Sequence, residues 1–414
     1  MNSTLDRHFS KYSDHDPEVP VWNITGELGG CFHRFFDTSP ISPSGRFLAV
    51  TRFAPKDRMP VSGEPAEVVL FDLREGGHRV VAETHGWDTQ LGAQVQWGRD
   101  DTQLFFNDMD IATWRPFGVL MNPQTKEMQR LDGTVYMVSM DGRLAISPCL
   151  LRMGLTQAGY GVLAPPGVAP SNQGAPDDDG VYITDTETGQ SRLLVSLAEI
   201  LQSCMEAGRY ADGDLYGFHV KWNLQGTRIQ FVIRWVPHDG GAMRHNLVTM
   251  NADGGGIAVA IPDREWTQKG GHHPNWCPDG DFVMMNLRAA GRGTPLRFIR
   301  ARYDGSDCSI MHPEVEGSGH PTLHPDNRHV VTDVYQHEPA AWADGTTPLR
   351  WIDLETGKAR NIVRICTRPD FSGPKHERRV DPHPAWDRSW RHVAFNACPN
   401  GVRNVFLADM SSLL

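Results

Sequence analysis

No segment of this chain approaches the roughly eighteen consecutive apolar residues that a membrane-spanning helix requires. The seven cysteines are odd in number and scattered, with no Cys-x-x-Cys pair. That excludes a disulfide framework and a thiolate metal site. The His-Glu-x-x-His arrangement of zinc hydrolases is also missing. Positive charge is scarce: the formal balance is −10. A general nucleic-acid or anionic-membrane partner is therefore not expected, although a local basic pocket could still hold an anionic ligand. The first twenty residues, MNSTLDRHFSKYSDHDPEVP, are polar and acidic and lack the apolar centre of a secretory leader. The expectation from this is a cytoplasmic protein.

What the chain has is a repeat. HHPNWCPDGDFVMMN from His272 and GHPTLHPDNRHVVTD from Gly319 share one plan with DPHPAWDRSWRHVAFNA from Asp381 and FHVKWNLQGTRIQFVIRW from Phe218. Each has a His, two residues, a large apolar residue, a polar turn and an alternating apolar strand. Fainter copies, DTSPISPSGRFLAVTRF, AQVQWGRDDTQLFFND and VYMVSMDGRLAISPCL, bring the hairpins to seven. They lie near 38–53, 94–107, 135–149, 219–235, 273–287, 320–335 and 383–397, with turns such as Ser44-Gly45, Asp141-Gly142 and Asp279-Gly280. Such turns between alternating apolar runs are the strongest short-range hairpin signal. A second strand type follows each hairpin, from VVLFDLREGG to NVFLADM, again seven times. A short fourth strand, such as HRVVAETH or NIVRIC, follows most of them.

Four strands per unit in radial repetition is the plan of an all-β, seven-bladed β-propeller, here a single domain over 1–414. The last unit runs out of chain, so residues 19–25, VPVWNIT, are predicted to close the ring as the outer strand of the last blade. Gly- and Pro-rich residues 153–180 read as a long loop inserted in blade three. Residues 196–209 read as a short helix leading into blade four.

Aligned by their turns, the hairpins put Thr38, Gln94, Val135, His219, His273, His320 and His383 at equivalent positions. Each is predicted at the start of an innermost strand, on one face of the central channel. One such His often serves hydrogen bonding between blades. Four converging on one channel would crowd, and a metal or an anion resolves that crowding. Asp381, two residues from His383 on the same strand face, makes a mixed nitrogen–oxygen set with His320 and His383 for a divalent ion. Manganese, calcium and zinc are the candidates. Tyr136 and Arg152 bracket the blade-three hairpin, where they could move a proton and pair with a carboxylate. Gln90, Gln94, His33 and Arg115 are further candidates for contact with a ligand; for Arg115 a solvated surface charge is the plain alternative. Asn107 and Asp108 either join them or only terminate a strand.

These stretches resemble the seven-bladed propeller polysaccharide lyases: oligogalacturonate lyase, the ulvan lyases and the rhamnose–glucuronate lyases, with a related group of rhamnosidases. The short turns are also similar to those of TolB-like propellers. The C-terminal blades look like oligogalacturonate lyase, in which a His of the penultimate blade and a Gln-x-x-His-x-His segment of the last hold a divalent metal. His320 and His383 match that pattern, whereas Arg378 and Asp381 replace the other two positions. The resemblance implies a base at His273 or its neighbour His272. The N-terminal half, WDTQLGAQVQW…FFND with Tyr136 and Arg152, is similar to the ulvan and rhamnose–glucuronate lyases, whose Tyr/His pair handles protons and whose Arg neutralises the uronate.

The resemblance implies β-elimination on a uronic-acid oligosaccharide. His273 would be the base, Tyr136 or His219 the acid, and Arg152 with the metal at His320, Asp381 and His383 the charge neutralisers. His33, Gln90, Gln94, Arg115 and His272 would bind substrate. Two other classes stay open: a glycoside hydrolase acting beside a uronic acid, and a non-catalytic TolB-like binding propeller.

Overall fold

Polar turns at which a residue must take a left-handed conformation set the repeat. At six of the inner hairpins that residue is Gly45, Gly142, Gly226, Gly280, Asn327 or Trp390, with φ between 57° and 76°. This is the geometry of a type I turn closed by a left-handed residue, and glycine adopts it without a Cβ clash. The alternating apolar strands on either side then pair antiparallel. The computed structural model describes residues 2–54 and 57–414.

Seven antiparallel sheets result, six of four strands and one of five, and together they form a seven-bladed β-propeller. Blade one is built from Cys31–Phe32, Phe47–Arg52, Ala66–Asp72 and His78–Thr84. Blade two takes Gln96–Trp97, Leu104–Asp110, Arg115–Met121 and Met128–Leu131. Blade three takes Met137–Val138, Leu144–Ser147, Gly180–Asp185 and Ser191–Ser196. Blade four has the long strands Gly213–Trp222 and Arg228–Pro237, then Arg244–Asn251 and Ala258–Ile261. Blade five is Gly271–Trp276, Phe282–Leu287, Arg297–Arg302 and Ser309–Ile310. Blade six is Thr322–Leu323, His329–Thr332, Thr346–Asp353 and Lys358–Cys366.

Blade seven joins the two ends of the chain. Ala385–Trp386, His392–Ala397 and Asn404–Asp409 are followed outward by Val21–Asn23, which pairs as Val21 with Ala408, Trp22 with Leu407 and Asn23 with Phe406. A fifth strand, Ser10–Tyr12, lies outside it. The sequence reading did not anticipate this strand, because three residues with only Tyr12 buried carry no alternation to read. Trp22 is fully buried and its indole N–H donates to Asp6 at 2.9 Å.

The insertion begins with a helix, Leu150–Thr156, and stays irregular until the strand at Gly180. The helix predicted over 196–209 forms as Leu197–Cys204, held by a reciprocal Ser196–Glu199 capping box, with one further turn at Ala207–Tyr210.

The inner strands differ from expectation. In blades two, three, six and seven they are two residues long and begin beyond Gln94, Val135, His320 and His383. Thr38 lies between strands, where it accepts from Arg34 and donates to Asp37. Val135 is buried in a cluster with Phe105 and Leu131. Blades one and three therefore bring other residues to the centre.

Replacing Trp22 by Ala should destabilise the protein by about 3–5 kcal/mol, the usual range for deleting a buried aromatic side chain. Urea denaturation of the two proteins measures it.

Candidate active site

The channel has a floor. Residues 33–37, His-Arg-Phe-Phe-Asp, follow the first strand of blade one and fill the centre. The Phe35 ring lies 4.9 Å from the His219 ring, 5.6 Å from His320 and 4.8 Å from His383; Phe36 lies 5.2 Å from His320. Beneath them Asp37 pairs with Arg34 at 2.5 Å and with Lys221 at 3.0 Å, and all three side chains are almost completely buried. Burial works against the Asp37 charge, but the two cations outweigh it and hold its carboxyl below the ordinary range. The Lys221 ammonium lies 4.2 Å from the centre of the Phe36 ring and donates to the Pro274 carbonyl at 2.9 Å.

Backbone bulges aim the histidines. Gln94, His273 and His383, equivalent residues of three blades, all have positive φ, at 59°, 58° and 50°. The strand register shifts between Gly217 and Val220 and between His272 and Asn275, flanking His219 and His273. A bulge redirects a side chain out of the ladder, here toward the axis. Asparagines on neighbouring strands fix these loops from the preceding blade. Asn107 exchanges hydrogen bonds with the Val135 backbone at 2.7 Å, Asn286 donates to the Gly319 carbonyl at 2.9 Å, and Asn396 accepts from the His33 N–H at 3.0 Å. Asn107 is thus an inter-blade clamp.

His320, Asp381 and His383 bring one ligand atom each within 4.8 Å of one another, and all three are buried. The His320 Nδ1 lies 2.9 Å from Asp333, which fixes the tautomer and leaves the lone pair on Nε2, the arrangement that orients metal-ligating histidines. Both ring nitrogens of His383 are buried without a hydrogen-bond partner, and burial pushes its pKa well below the imidazole value. It is a neutral, lone-pair-bearing group, as a metal ligand must be. The donor set therefore suits a divalent ion. Asp381 also accepts from Arg379 at 2.8 Å.

Two tyrosine–histidine pairs flank this cluster with opposite polarity. Tyr136 is fully buried and, among the described residues, its hydroxyl hydrogen-bonds to His219 Nδ1 alone. Burial raises the phenol well above its usual value, so it keeps its proton; with no other acceptor for that proton among the described residues it donates to Nδ1, which places the His219 hydrogen on Nε2. His219 is half-buried and stands in front. On the other side His273 stacks on His320 with ring centres 3.7 Å apart. Its Nδ1 is 2.7 Å from the Gly319 carbonyl, an acceptor only, so Nδ1 carries the hydrogen and Nε2 the lone pair. The Tyr335 hydroxyl donates to that Nε2 at 3.0 Å. Tyr335 is half-buried.

One central cation has no carboxylate partner. Arg234, 8% exposed, stacks 3.3 Å over Phe218 and bonds only the neutral Thr156 Oγ1 and Gln157 Oε1, while its Nε has no partner. Burial lowers it to about 9, so it remains charged at neutral pH. Tyr160 of the insertion lies 5.8 Å from the His219 ring and accepts from Arg379 at 3.0 Å. Asp333, Tyr335, Arg234, Tyr160, Arg379, Lys221, Asp37 and Phe35 were not singled out from the sequence. Only Tyr335 and Asp333 carried a signal, as the end of the blade-six hairpin beside a central His.

Other sequence candidates sit elsewhere. Arg152 pairs with Asp179 at 3.4 Å and Asp178 at 3.6 Å and donates to the Pro170 carbonyl, so it anchors the insertion. Arg115 is an exposed residue on the third strand of blade two, opposite Asp110. Gln90 is buried and donates to the Glu377 carbonyl at 2.7 Å, which positions the segment carrying Arg379. Gln94 accepts from Arg34 at 2.8 Å. His33 is buried with both ring nitrogens unpartnered, 6.4 Å from the His383 ring. His272 Nδ1 is 2.9 Å from His273 Nδ1, at the edge of the cluster.

Burial lowers His33 and His272 to about 3 and His245 to about 4. On unfolding below pH 6.5 each gains a proton that the native state refuses, so stability falls as pH falls from 6.5 toward 4. Three such groups contribute a limiting slope of about 4 kcal/mol per pH unit, which Asp88 and Glu338, raised by burial to about 7 and so protonated first in the native state, offset in part. Denaturant titrations at pH 7, 6 and 5 should show the midpoint falling, and replacing His33 and His272 by Phe should flatten that fall.

No protein-family model matches the chain, and no curated protein matches its sequence. Solved structures do. An oligogalacturonate lyase from Vibrio parahaemolyticus aligns over 97% of this chain and 96% of its own, with TM-score 0.64 and 14% identity. An oligogalacturonate lyase in complex with manganese aligns over the same shares, with TM-score 0.66 and 16% identity. A putative TolB from Agrobacterium tumefaciens aligns over 80% of this chain and 94% of its own, with TM-score 0.40 and 15% identity. Over nearly its whole length, then, the chain is similar in fold to oligogalacturonate lyase.

Proposed function

We propose that this protein is a carbon–oxygen lyase that cleaves uronic-acid oligosaccharides by β-elimination at the centre of the propeller. The observation that carries the reading is the buried His320–Asp381–His383 set beside two tyrosine–histidine pairs whose hydrogen bonds give one pair a donor nitrogen and the other an acceptor nitrogen. That is the polarity an elimination needs, with one group to take a proton and another to give one. The manganese bound by one oligogalacturonate lyase of the same fold agrees with a divalent ion here.

A divalent ion held by His320, Asp381 and His383 would supply positive charge to the uronate carboxylate and so make the adjacent C5 proton more acidic. Arg234, still charged and without a carboxylate, is the protein's own cation for the same purpose and takes the role first given to Arg152. His273 Nε2 accepts the C5 proton through the Tyr335 hydroxyl: the phenol proton moves to His273 as the phenol oxygen takes the proton from carbon. The C5–H electron pair forms the C4–C5 double bond and the C4–O bond breaks. The departing oxygen takes its proton from His219 Nε2, and the Tyr136 hydroxyl stands behind Nδ1 to return one. Hydrolysis would call for two free carboxylates across the bond. The two at this cluster, Asp333 and Asp381, are bonded to His320 and Arg379.

The purified protein should convert oligouronides to an unsaturated product that absorbs in the ultraviolet, and a chelator should abolish this. His273→Ala should lower kcat by about 10²–10⁴-fold, the usual contribution of a general base. Asp333→Asn should weaken manganese binding by about 10–100-fold, as loss of a partner to a ligating His does. A saturated product, or full turnover in His273→Ala, would sink the reading.

A further inference from the structure

An odd and scattered set of cysteines excludes a framework of bridges, but the fold brings two of them together. Cys366 ends the outer strand of blade six, and Cys398 directly follows the second strand of blade seven. Cys366 is half-buried and Cys398 fully buried. The Cys398 N–H donates to the Cys366 carbonyl at 2.8 Å, and among the described residues no other two cysteines share a main-chain hydrogen bond. Such a bond holds two Cα atoms roughly 5–6 Å apart. Disulfides span about 4.4–6.8 Å between Cα atoms, most often about 5.5–6 Å.

The side chains meet as well. The Cys398 thiol hydrogen-bonds with Cys366. Burial, and next the Cys366 thiol beside it, keeps Cys398 protonated, with Arg403 opposing. The Cys366 thiol also contacts the Arg368 carbonyl at 3.8 Å and is the more open of the two. An oxidant from solvent therefore meets Cys366 first, with Cys398 behind it. Four other cysteines make a control within the same molecule. The groups that act most strongly on Cys31, Cys149, Cys277 and Cys308 include carboxylates and cations, and no second thiol is among them.

The pair stands at the neck of a loop. Residues 367–397 leave the outer strand of blade six and return through the first two strands of blade seven, and they carry Arg379, Asp381 and His383. The two ends of this stretch meet through the Cys398–Cys366 hydrogen bond and through the Asp370 N–H, which donates to the Gly401 carbonyl at 2.9 Å. A covalent bond between the cysteines would tie blade six to blade seven and close the loop that bears two of the three buried metal-ligand candidates.

We propose that Cys366 and Cys398 are a site of reversible disulfide formation, a bridge between blades six and seven that closes the neck of the loop bearing Asp381 and His383. A small-molecule disulfide is the oxidant. The Cys366 thiol loses its proton and attacks one sulfur of the oxidant, releasing the other as a thiolate. The Cys398 thiol then loses its proton and attacks the Cys366 sulfur of the mixed disulfide, releasing the second thiolate. The two thiolates take up the two protons. Two protein thiols and one small disulfide thus become one protein disulfide and two small thiols. In a reducing compartment the pair stays open, and an oxidant closes it. The assignment is independent of the elimination reading.

The test is incubation of the full-length protein with oxidised glutathione, followed by peptide mass mapping without reduction. The peptides bearing Cys366 and Cys398 should be joined directly, with no glutathione between them, and dithiothreitol should return both thiols. The oxidised protein should melt about 3–6 °C higher than the reduced one. Hydrogen exchange across residues 367–397 should slow by about tenfold or more. Cys366→Ser should abolish the thermal shift, whereas Cys308→Ser, which removes the exposed cysteine, should leave it in place. Should Cys366→Ser melt early, mass mapping and exchange of the wild type decide alone. Glutathione that stays on Cys366 without a bridge forming, linkage of a different pair, or a thermal shift that survives in Cys366→Ser would overturn the site. A bridged protein whose 367–397 segment exchanges as fast as the reduced one would overturn its closure of the loop.

Discussion

The centre of this molecule depends on one buried carboxylate. Asp37 holds Arg34 and Lys221 together under the two phenylalanines that fill the channel. Removing one partner from such a group leaves an unpaired charge in a dry interior, which costs about 3–5 kcal/mol. Two cations on one carboxylate also leave net positive charge beneath the histidines. Lys221 is the largest charge effect on His219, adding to burial in keeping that ring neutral. The floor is thus both a mechanical support and an electrostatic one: its cations add to burial in keeping the His219 imidazole unprotonated.

Above that floor, geometry is set by strain the blades can tolerate. Positive φ at Gln94, His273 and His383 costs about 1–3 kcal/mol each. It persists because Asn107, Asn286 and Asn396 tie the neighbouring loops to adjacent blades. The repeat therefore does two jobs with one motif. It builds the ring, and in blades four to seven it turns a histidine inward. The site is composite for the same reason: its groups come from every part of the ring, and closure of blade seven by Val21–Asn23 holds them in register.

The histidines were legible because they belong to the repeat: a residue at a fixed distance from a turn, seven times over, has a position that the sequence alone can assign. Tyr136 and Asp381 were legible as neighbours of that position. Lys221 lies two residues from His219 yet was not singled out, since nothing in its local pattern says that a lysine there is buried against Asp37. Asp333 directly follows a second strand and Arg234 lies on one, where outward and inward faces look alike until the sheet twist is known. The ion pairs of Arg152 were not legible, because its partners, Asp178 and Asp179, come at the far end of the insertion and meet it only when that loop folds back. Gln90 holds a distant backbone carbonyl, a contact no spacing could reveal.

The sequence by itself determined the blade count, the turns, the strand from the N-terminal segment that completes the last blade, and the inward histidine of blades four to seven. These follow from local rules: alternation, turn chemistry and a constant distance between the two. The tertiary structure alone decided which nitrogen of each histidine carries its proton, which cations lack a partner, and how the chain plugs its own channel. Those properties are set by groups tens to hundreds of residues away, as when His273 meets Tyr335 and Gly319, or Asp37 meets Lys221. Hydrogen bonds and burial at such distances exist only after the ring has closed, so no local pattern can encode them one residue at a time.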